Sequence, residues 1–100
     1  MQIELDKLEV IHNPAENRFE TWVDGQLAKL DYSEEGHTIV MMHVGVPYEF
    51  RGHGVAGAIT KAGLEYATAK SLRVIPMCSY VAAYIRRNPQ YVELTRNKDS

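Results

Sequence analysis

The sequence contains a single cysteine, Cys78, which excludes an intramolecular disulfide framework and is typical of a protein from a reducing compartment. No apolar run approaches the roughly eighteen residues that a membrane span requires. The first ten residues, MQIELDKLEV, lack the basic segment and long apolar stretch of a signal peptide. We therefore expect a cytoplasmic protein without a membrane segment.

An excess of basic residues is also missing. The chain has 11 Lys and Arg against 13 Asp and Glu, a formal net charge of −2, whereas proteins that bind nucleic acids or membrane surfaces usually carry a positive excess. We expect neither kind of partner. Several basic side chains in the second half of the chain either frame an anionic ligand or form an ordinary solvated surface. They are Arg51, Lys61, Lys70, Arg73, Arg86 and Arg87.

Paired metal ligands are absent as well. Zinc sites usually bring cysteines or histidines in pairs a few residues apart, and the spacing of the available side chains matches no such pattern. The sequence therefore predicts no metal site. The possible ligands considered are His12, His37, His43, His53 and Cys78.

Up to position 46, apolar and β-branched runs alternate with turn residues, which predicts an antiparallel meander of four strands. Asp24 and Gly25 are a strong hairpin signal, because both central residues of a type I′ turn need positive φ. The predicted strands are Leu8 to His12, Arg18 to Val23, Gln26 to Tyr32 and Thr38 to Val46.

Beyond position 54, apolar residues recur at intervals of three and four, which predicts an amphipathic helix lying on the sheet. Gly63 costs this helix on the order of 1 kcal/mol relative to alanine and is expected to allow close packing. A short strand, Leu72 to Pro76, follows and is expected to be parallel to the fourth, because a helical crossover joins them. The predicted apolar stripe of the helix is Val55, Ile59, Ala62, Tyr66 and Ala69.

A second helix, Tyr80 to Arg87, is predicted with Ser79 as its cap and with Asn88 and Pro89 at its end. These elements make an α+β fold of about five strands in the order β-β-β-β-α-β-α. A hydrophobic fraction of 45% is sufficient for a modest core. We expect a single domain over residues 1–94 and a polar tail over residues 95–100.

A glycine-rich loop, Arg51-Gly52-His53-Gly54-Val55-Ala56, joins the fourth strand to the first helix. A strand-loop-helix unit suits a phosphate, because the first N–H groups of a helix lack intrahelical partners and the helix dipole adds positive charge there. The two glycines allow close backbone approach or positive φ, and the arginine is able to complement phosphate charge. The residues of a P-loop or a dinucleotide fingerprint are absent, and a plain strand-to-helix turn is the alternative.

Two blocks of sequence carry a family resemblance. PYEFRGHGVAGAI resembles motif A of the GNAT acetyltransferase superfamily, Arg/Gln-x-x-Gly-x-Gly/Ala, with the match shifted so that the first position of the motif, three residues before Gly52, falls on Glu49. VIPMCSYVAAYIRRNPQY, Val74 to Tyr91, resembles the small, single-domain YidJ-like branch of that superfamily. Together the blocks span about half of the chain and occur in the family's order.

The resemblance implies a binding site for acetyl-CoA or coenzyme A. In the family, the fourth and fifth strands are parallel and splay apart, and the pantetheine arm lies between them. Here the arm would lie between His43 to Val46 and Ile75 to Ser79, where Pro76 removes a ladder donor, with the pyrophosphate on the loop N–H groups. The cofactor-binding residues implied are Val44, Val46, Arg51, Gly52, His53, Gly54, Val55, Ala56, Cys78 and Tyr84.

Acetyl transfer to an amine needs a group that polarises the thioester, a base and an acid. The resemblance makes Tyr84 the first candidate for the acid and Tyr91 the second, although either ring is alternatively a core side chain with a bonded hydroxyl. His43 and His53 are candidates for the base, and a water chain is the alternative. Cys78 either forms an acetyl-cysteine or is a small buried side chain near the acetyl group.

The expected function is transfer of acetyl from acetyl-CoA to a primary amine, either a small molecule or a peptide. Family members usually insert two helices between the first two strands, where this chain has only Asn13 to Asn17, so the resemblance implies an open or shallow acceptor site. Two alternatives are a coenzyme-binding regulatory module with little catalysis and a structural partner domain without a ligand. We expect a monomer or a weak homodimer.

Overall fold

The computed structural model describes residues 7–96. The predictions about the first six residues fall outside this range. Of the predicted tail, residues 95–100, only Thr95 and Arg96 are described, and Thr95 belongs to the 3₁₀ segment Pro89–Thr95. The described chain forms five strands, two α-helices and three short 3₁₀ segments. The strands are β1 (Ile11–Asn13), β2 (Arg18–Val23), β3 (Gln26–Glu35), β4 (Thr38–Gly45) and β5 (Arg73–Pro76). The α-helices are α1 (Val55–Ala69) and α2 (Ser79–Arg87), and the 3₁₀ segments are Pro14–Glu16, Tyr48–Phe50 and Pro89–Thr95.

The strands lie side by side in chain order in one sheet. Strands β1 to β4 pair antiparallel, whereas β4 and β5, which α1 connects, pair parallel. Asp24 and Gly25 have φ values of 49° and 75°, as the tight hairpin between β2 and β3 requires. The predicted α+β fold with a five-strand mixed sheet is therefore confirmed.

Five strand ends differ from the prediction, each by one to three residues, and the two largest differences are at the start of β1 and the end of β3. Strand β1 begins at Ile11 and not at Leu8, and the Glu9 carbonyl outside it accepts a 2.8 Å hydrogen bond from the Thr21 hydroxyl. Strand β3 continues to Glu35, three residues beyond the predicted end at Tyr32, because the ladder with β4 runs on to the pair of Glu35 with Thr38.

Helix α1 begins at Val55 as predicted but buries a different stripe. Ala69 is exposed, because a strict alternation of three- and four-residue steps drifts away from the face that meets the sheet. Ala62 and Tyr66 are only partly buried against the core. The side chains that α1 buries are Val55, Ile59, Thr60, Gly63, Leu64 and Ala67. Neither α1 nor α2, the α-helices of the described chain, is long and apolar enough to cross a membrane.

The C-terminal part of the fold differs in two respects. Ser79 is the first residue of α2, and Cys78 occupies the N-cap without a side-chain hydrogen bond, so the predicted cap was one residue late. The 3₁₀ segment Pro89–Thr95 was not predicted, although it buries Tyr91 and Leu94. Both side chains join the core cluster that also contains α1 and the strands. This segment therefore completes the covered side of the sheet.

Candidate functional site

Strands β4 and β5 separate part of the way along the sheet. They pair from Thr38 with Arg73 to Met41 with Pro76, and no further. The Cys78 N–H donates a 3.1 Å hydrogen bond to the Met41 carbonyl just beyond the last pair. Strand β4 then continues to Gly45 with only β3 as a partner. A gap therefore opens beside the last residues of β4, next to the start of α2.

A β-bulge lies at the point where the gap begins. Asp31 pairs with His43 and Tyr32 with Met41, which leaves Met42 as the extra residue. Regular alternation would put His43 on the face that α1 covers, together with Met41. The extra residue instead places Val44 on that face, opposite the buried Leu30, and His43 opposite Asp31 on the other face.

The loop before α1 has the backbone that the glycine spacing predicted. Gly52 and Gly54 have φ values of 82° and 85°, a region that side-chain-bearing residues rarely adopt. Gly54 is the N-cap of α1, and its carbonyl accepts the 3.1 Å hydrogen bond from the Ala58 N–H. The N–H groups of residues 55–57 precede this first helical bond, so they are available to an anion.

The position of the N-cap corrects the register of the motif. Counted to Gly54, the pattern Arg/Gln-x-x-Gly-x-Gly/Ala falls on Arg51, Gly54 and Ala56 without a shift. The register that placed Glu49 at the first position was wrong, because it took Gly52 as the first glycine. Glu49 instead accepts a 2.9 Å hydrogen bond from Gln26 at the start of β3, which ties the segment before the loop to the sheet.

A pocket of about 420 Å³ joins the loop, the end of β4 and the start of α2. It brings together most of the residues that the sequence predicted for the cofactor and adds two, Phe50 and Tyr80. His53, Cys78 and Tyr84 are not part of its wall. The lining residues are Val44, Val46, Phe50, Arg51, Gly52, Gly54, Val55, Ala56 and Tyr80.

The two tyrosines of α2 have different surroundings. A Cβ built on Gly57 would lie 3.4 Å from the Tyr80 hydroxyl and 3.6 Å from Cε2 of Tyr84, so both rings lie against the first turns of α1. Tyr80 faces the pocket, whereas the Tyr84 ring lies 6.3 Å from that of the buried Tyr91. Burial, followed by the neighbouring Tyr80, raises the pKa of Tyr84 above 10.0, so its phenol stays protonated at neutral pH.

Two arginines stack on tyrosines around the pocket. The Arg51 guanidinium lies 5.7 Å from the centre of the exposed Tyr48 ring, and its Nε donates a 3.4 Å hydrogen bond to the Val46 carbonyl. The Arg87 guanidinium lies 5.9 Å from the centre of the Tyr80 ring. Arg51, which lines the pocket, and Arg87, which lies over the pocket residue Tyr80, are thus each next to an aromatic ring.

The remaining catalytic candidates are dispersed. His43 is exposed, with its ring close to Gly45, where a built Cβ would lie 3.3 Å from Nε2. His53 is half-buried in the loop, and Cys78 is half-buried at the end of the gap. The Tyr91 hydroxyl donates a 2.7 Å hydrogen bond to Glu65, and burial followed by this bond raises its pKa to about 12. Tyr91 is therefore a core side chain.

The histidines do not converge on one point. His12 lies on the covered side of β1, where its Nε2 is 2.6 Å from the Tyr32 hydroxyl and its ring stacks on Phe19 at 4.3 Å. Burial lowers the pKa of His12, against an opposing effect of the Glu34 carboxylate. Within residues 7–96, no three His, Cys, Asp or Glu side chains are placed to hold a metal ion.

Sequence reasoning missed Phe50 and Tyr80 as pocket residues. Phe50 is 1% exposed and anchors the 3₁₀ segment before the loop, and its sequence position gives no sign of this. Tyr80 had a usable signal, because it follows the end of β5 by only four residues and lies in the first turn of α2. Because α2 starts directly after β5, a side chain in its first turn lies close to the gap between β4 and β5.

Three comparisons identify similar proteins. Residues 18–94 match the family model described as GCN5-related N-acetyl-transferase. The chain is 32% identical over 91 residues to Protein NATD1 of chicken, which covers 86% of this chain and 83% of that protein. The human Protein NATD1 is also 32% identical, over 86% of this chain and 80% of its own length. The NMR structure of a GCN5-like protein from Staphylococcus aureus matches with a TM-score of 0.69 at 29% identity, covering 87% of this chain and 86% of that chain.

Proposed function

The chain belongs to the GCN5-related N-acetyltransferase family, and from this premise we propose that it binds acetyl-CoA and transfers the acetyl group to a primary amine. The acceptor belongs to a small molecule or a peptide. One observation carries the coenzyme part of the proposal. The same 420 Å³ pocket is lined by the end of β4 and by the first residues of α1, so it offers a strand edge and a helix N-terminus together.

The residues fit the two chemically different parts of the coenzyme. A pyrophosphate suits the N–H groups of residues 55–57, because these carry the positive end of the helix dipole. A pantetheine arm contains amide groups, which suit the edge of β4 where β5 no longer pairs with it. Val44 and Val46 line the apolar side of that path.

The transfer forms a C–N bond to the acceptor amine and breaks the thioester C–S bond. The amine loses a proton and the departing thiolate gains one. We propose that Tyr84, whose pKa lies above 10.0 because of burial, donates the proton that the thiolate gains. His43 or water accepts the proton that the amine loses. His43 is exposed on the face that α1 does not cover, from which an acceptor has free access.

A coenzyme-binding module with little catalysis is the second candidate function. It is favoured by the short connection between β1 and β2, which consists of the 3₁₀ segment Pro14–Glu16 and Asn17. Trp22 on the uncovered face is 55% exposed. The pocket described above lies at the loop, the end of β4 and the start of α2, which the proposal assigns to the coenzyme.

Isothermal titration with acetyl-CoA tests the coenzyme site. The wild-type protein should bind, and Gly54→Val should not, because a β-branched residue is strained at φ 85° and its side chain would enter the pocket. Gly36→Val is the matched control, since Gly36 has φ 60° in the turn before β4 with nothing near its Cβ position. Normal binding by Gly54→Val would show that the loop does not hold the phosphates.

Turnover separates the two candidate functions. Acetylation rates against a panel of small amines and lysine-containing peptides should exceed the uncatalysed rate for at least one acceptor. Binding of acetyl-CoA without turnover for any acceptor class would instead support the regulatory module.

A further inference from the structure

We infer that Arg87, whose guanidinium lies over the ring of the pocket residue Tyr80, binds a phosphate group of the coenzyme beside the pocket. This inference rests on the proposed function, because it concerns the same pocket. It goes beyond the loop backbone, since it assigns part of the phosphate recognition to α2. The ligand class is a thioester carrier with nucleotide phosphates, as distinct from a bare pantetheine thioester.

The position of Tyr80 brings Arg87 next to the pocket. Its ring lines the pocket from the first turn of α2, and its hydroxyl lies 3.4 Å from the Cβ position of Gly57. Within the described chain this hydroxyl makes no hydrogen bond, so the ring is fixed by packing against α1.

The Arg87 side chain is held next to Tyr80 and is accessible to a ligand. Its guanidinium lies 5.9 Å from the centre of the Tyr80 ring, and the residue is exposed. No carboxylate among residues 7–96 forms an ion pair with it. The stacking limits the orientations of the long side chain, so less freedom is lost when the planar fork binds a phosphate.

Two cations at different places around the pocket suit a ligand with more than one phosphate group. Arg51 on Tyr48 stands at the loop, and Arg87 on Tyr80 stands at α2. The N–H groups at the start of α1 suit the pyrophosphate, and a nucleotide-containing coenzyme carries a further phosphate that these N–H groups leave unpaired. An arginine binds such a group through parallel charge-assisted hydrogen bonds.

Arg87 also has a structural explanation, because a cation near the C-terminus of a helix interacts favourably with the helix dipole. Arg86 shares this position in the last turn of α2 but has no stacking contact with Tyr80. Arg86→Gln therefore removes the same charge from the same helix end and is the matched control for Arg87→Gln.

Titrations of these variants test the inference. We expect Arg87→Gln to raise the Kd for acetyl-CoA about tenfold and to reduce its salt dependence, while Arg86→Gln stays within about twofold. Acetyl-pantetheine, which has no phosphate, should bind wild type and Arg87→Gln equally. Tyr80→Ala should reproduce the effect of Arg87→Gln on acetyl-CoA. Unfolding midpoints of all variants show whether they are folded.

Each contrary result has a distinct meaning. Equal losses of acetyl-CoA affinity in Arg86→Gln and Arg87→Gln would show that only the overall positive charge of this helix end matters, and would overturn the inference. An unchanged Kd in Arg87→Gln, or an equal loss for acetyl-pantetheine, would also overturn it while the proposed function stands. If wild type fails to bind acetyl-CoA, the proposed function fails and the inference falls with it.

Discussion

Gly63 of α1 lies so close to Leu30 of β3 that a Cβ built on the glycine would be 2.8 Å from Cδ2 of the leucine. Leu30 has no exposed surface, and Met41 and Phe19 lie 3.3 and 3.7 Å from the same Cβ position. A methyl group at Gly63 would therefore displace the leucine side chain, and Met41 and Phe19 crowd the same position. Glycine sets the distance between the helix and the sheet here.

Gly63→Ala should lower the free energy of unfolding by about 1 kcal/mol. Alanine stabilises a helix by on the order of 1 kcal/mol relative to glycine. Overpacking of a filled core costs roughly 1–3 kcal/mol, so the clash outweighs the gain in helix propensity. Urea unfolding measures the difference. Gly57→Ala is the control, because its Cβ would meet its nearest neighbour at 3.4 Å, an ordinary contact; it should not destabilise the protein. A stabilised Gly63→Ala would mean that α1 can move away from the sheet.

Stability should fall as the pH is lowered from 7.5 to about 5.5 because of His12. Burial lowers its pKa below 6.5 in the folded protein, so the unfolded chain binds the proton first. The contribution is fully present above pH 6.5 and is lost as the pH falls toward the folded pKa, at no more than about 1.4 kcal/mol per pH unit. Urea unfolding at three pH values measures the slope.

His12→Gln should flatten that slope, and His37→Gln, which removes an exposed imidazole, is the matched control. The charges nearest to His12 act in opposite directions, since Glu34 raises its pKa and Lys70 lowers it. The same slope in all three proteins would show that His12 is not the group that titrates in this window.

Turn residues and glycines in the sequence predicted the limits of the elements that they flank. Strand β2 was predicted at its observed limits, because Asn17 and the Asp24-Gly25 turn bracket it, and both residues outside the strand have positive φ. The start of α1 at Val55 follows from Gly54 in the same way. The start of α1 fixes where the loop ends, and seven of the ten residues predicted for the cofactor line the pocket beside it. Phosphate binding by the loop stays a prediction.

Features that depend on packing could not be predicted from local pattern. The bulge at Met42 adds one residue to a continuous strand, and neither composition nor turn residues mark it. It reverses the faces of His43 and Val44, and only the register with β3 reveals this. The 3₁₀ segment Pro89–Thr95 is similar, because its polar sequence conceals the burial of Tyr91.

Tyr91→Phe should destabilise the protein by about 1 kcal/mol and leave acetyl-CoA binding unchanged. The substitution removes the 2.7 Å hydrogen bond to Glu65, and such a bond contributes roughly 0.5–1.5 kcal/mol. The ring keeps its place in the core. Urea unfolding and isothermal titration measure the two effects, and a loss of coenzyme affinity would contradict the placement of Tyr91 away from the pocket.

Cys78→Ala should retain transfer to within about fivefold if the acetyl group passes directly to the amine. The contact that closes the gap is made by the backbone N–H of Cys78 to Met41, and alanine preserves it. Intact-protein mass spectrometry after mixing with acetyl-CoA should show no acetyl adduct on Cys78. An adduct that disappears on adding amine, together with loss of turnover in Cys78→Ala, would establish a covalent intermediate.

Tyr84→Phe should slow acetyl transfer by a factor on the order of one hundred without changing the Kd for acetyl-CoA, because general acid catalysis typically contributes this much or more. Tyr80→Phe is the matched control: it keeps the ring on which Arg87 stacks, and it removes a hydroxyl from the pocket wall one helical turn away. The pKa of Tyr84 above 10.0 keeps the acid protonated, so the kcat of wild type should not decline through loss of this proton between pH 7 and 9. If Tyr80→Phe loses turnover and Tyr84→Phe does not, the proton comes from the tyrosine that lines the pocket, and the assignment carried by the family resemblance is wrong by one turn of α2.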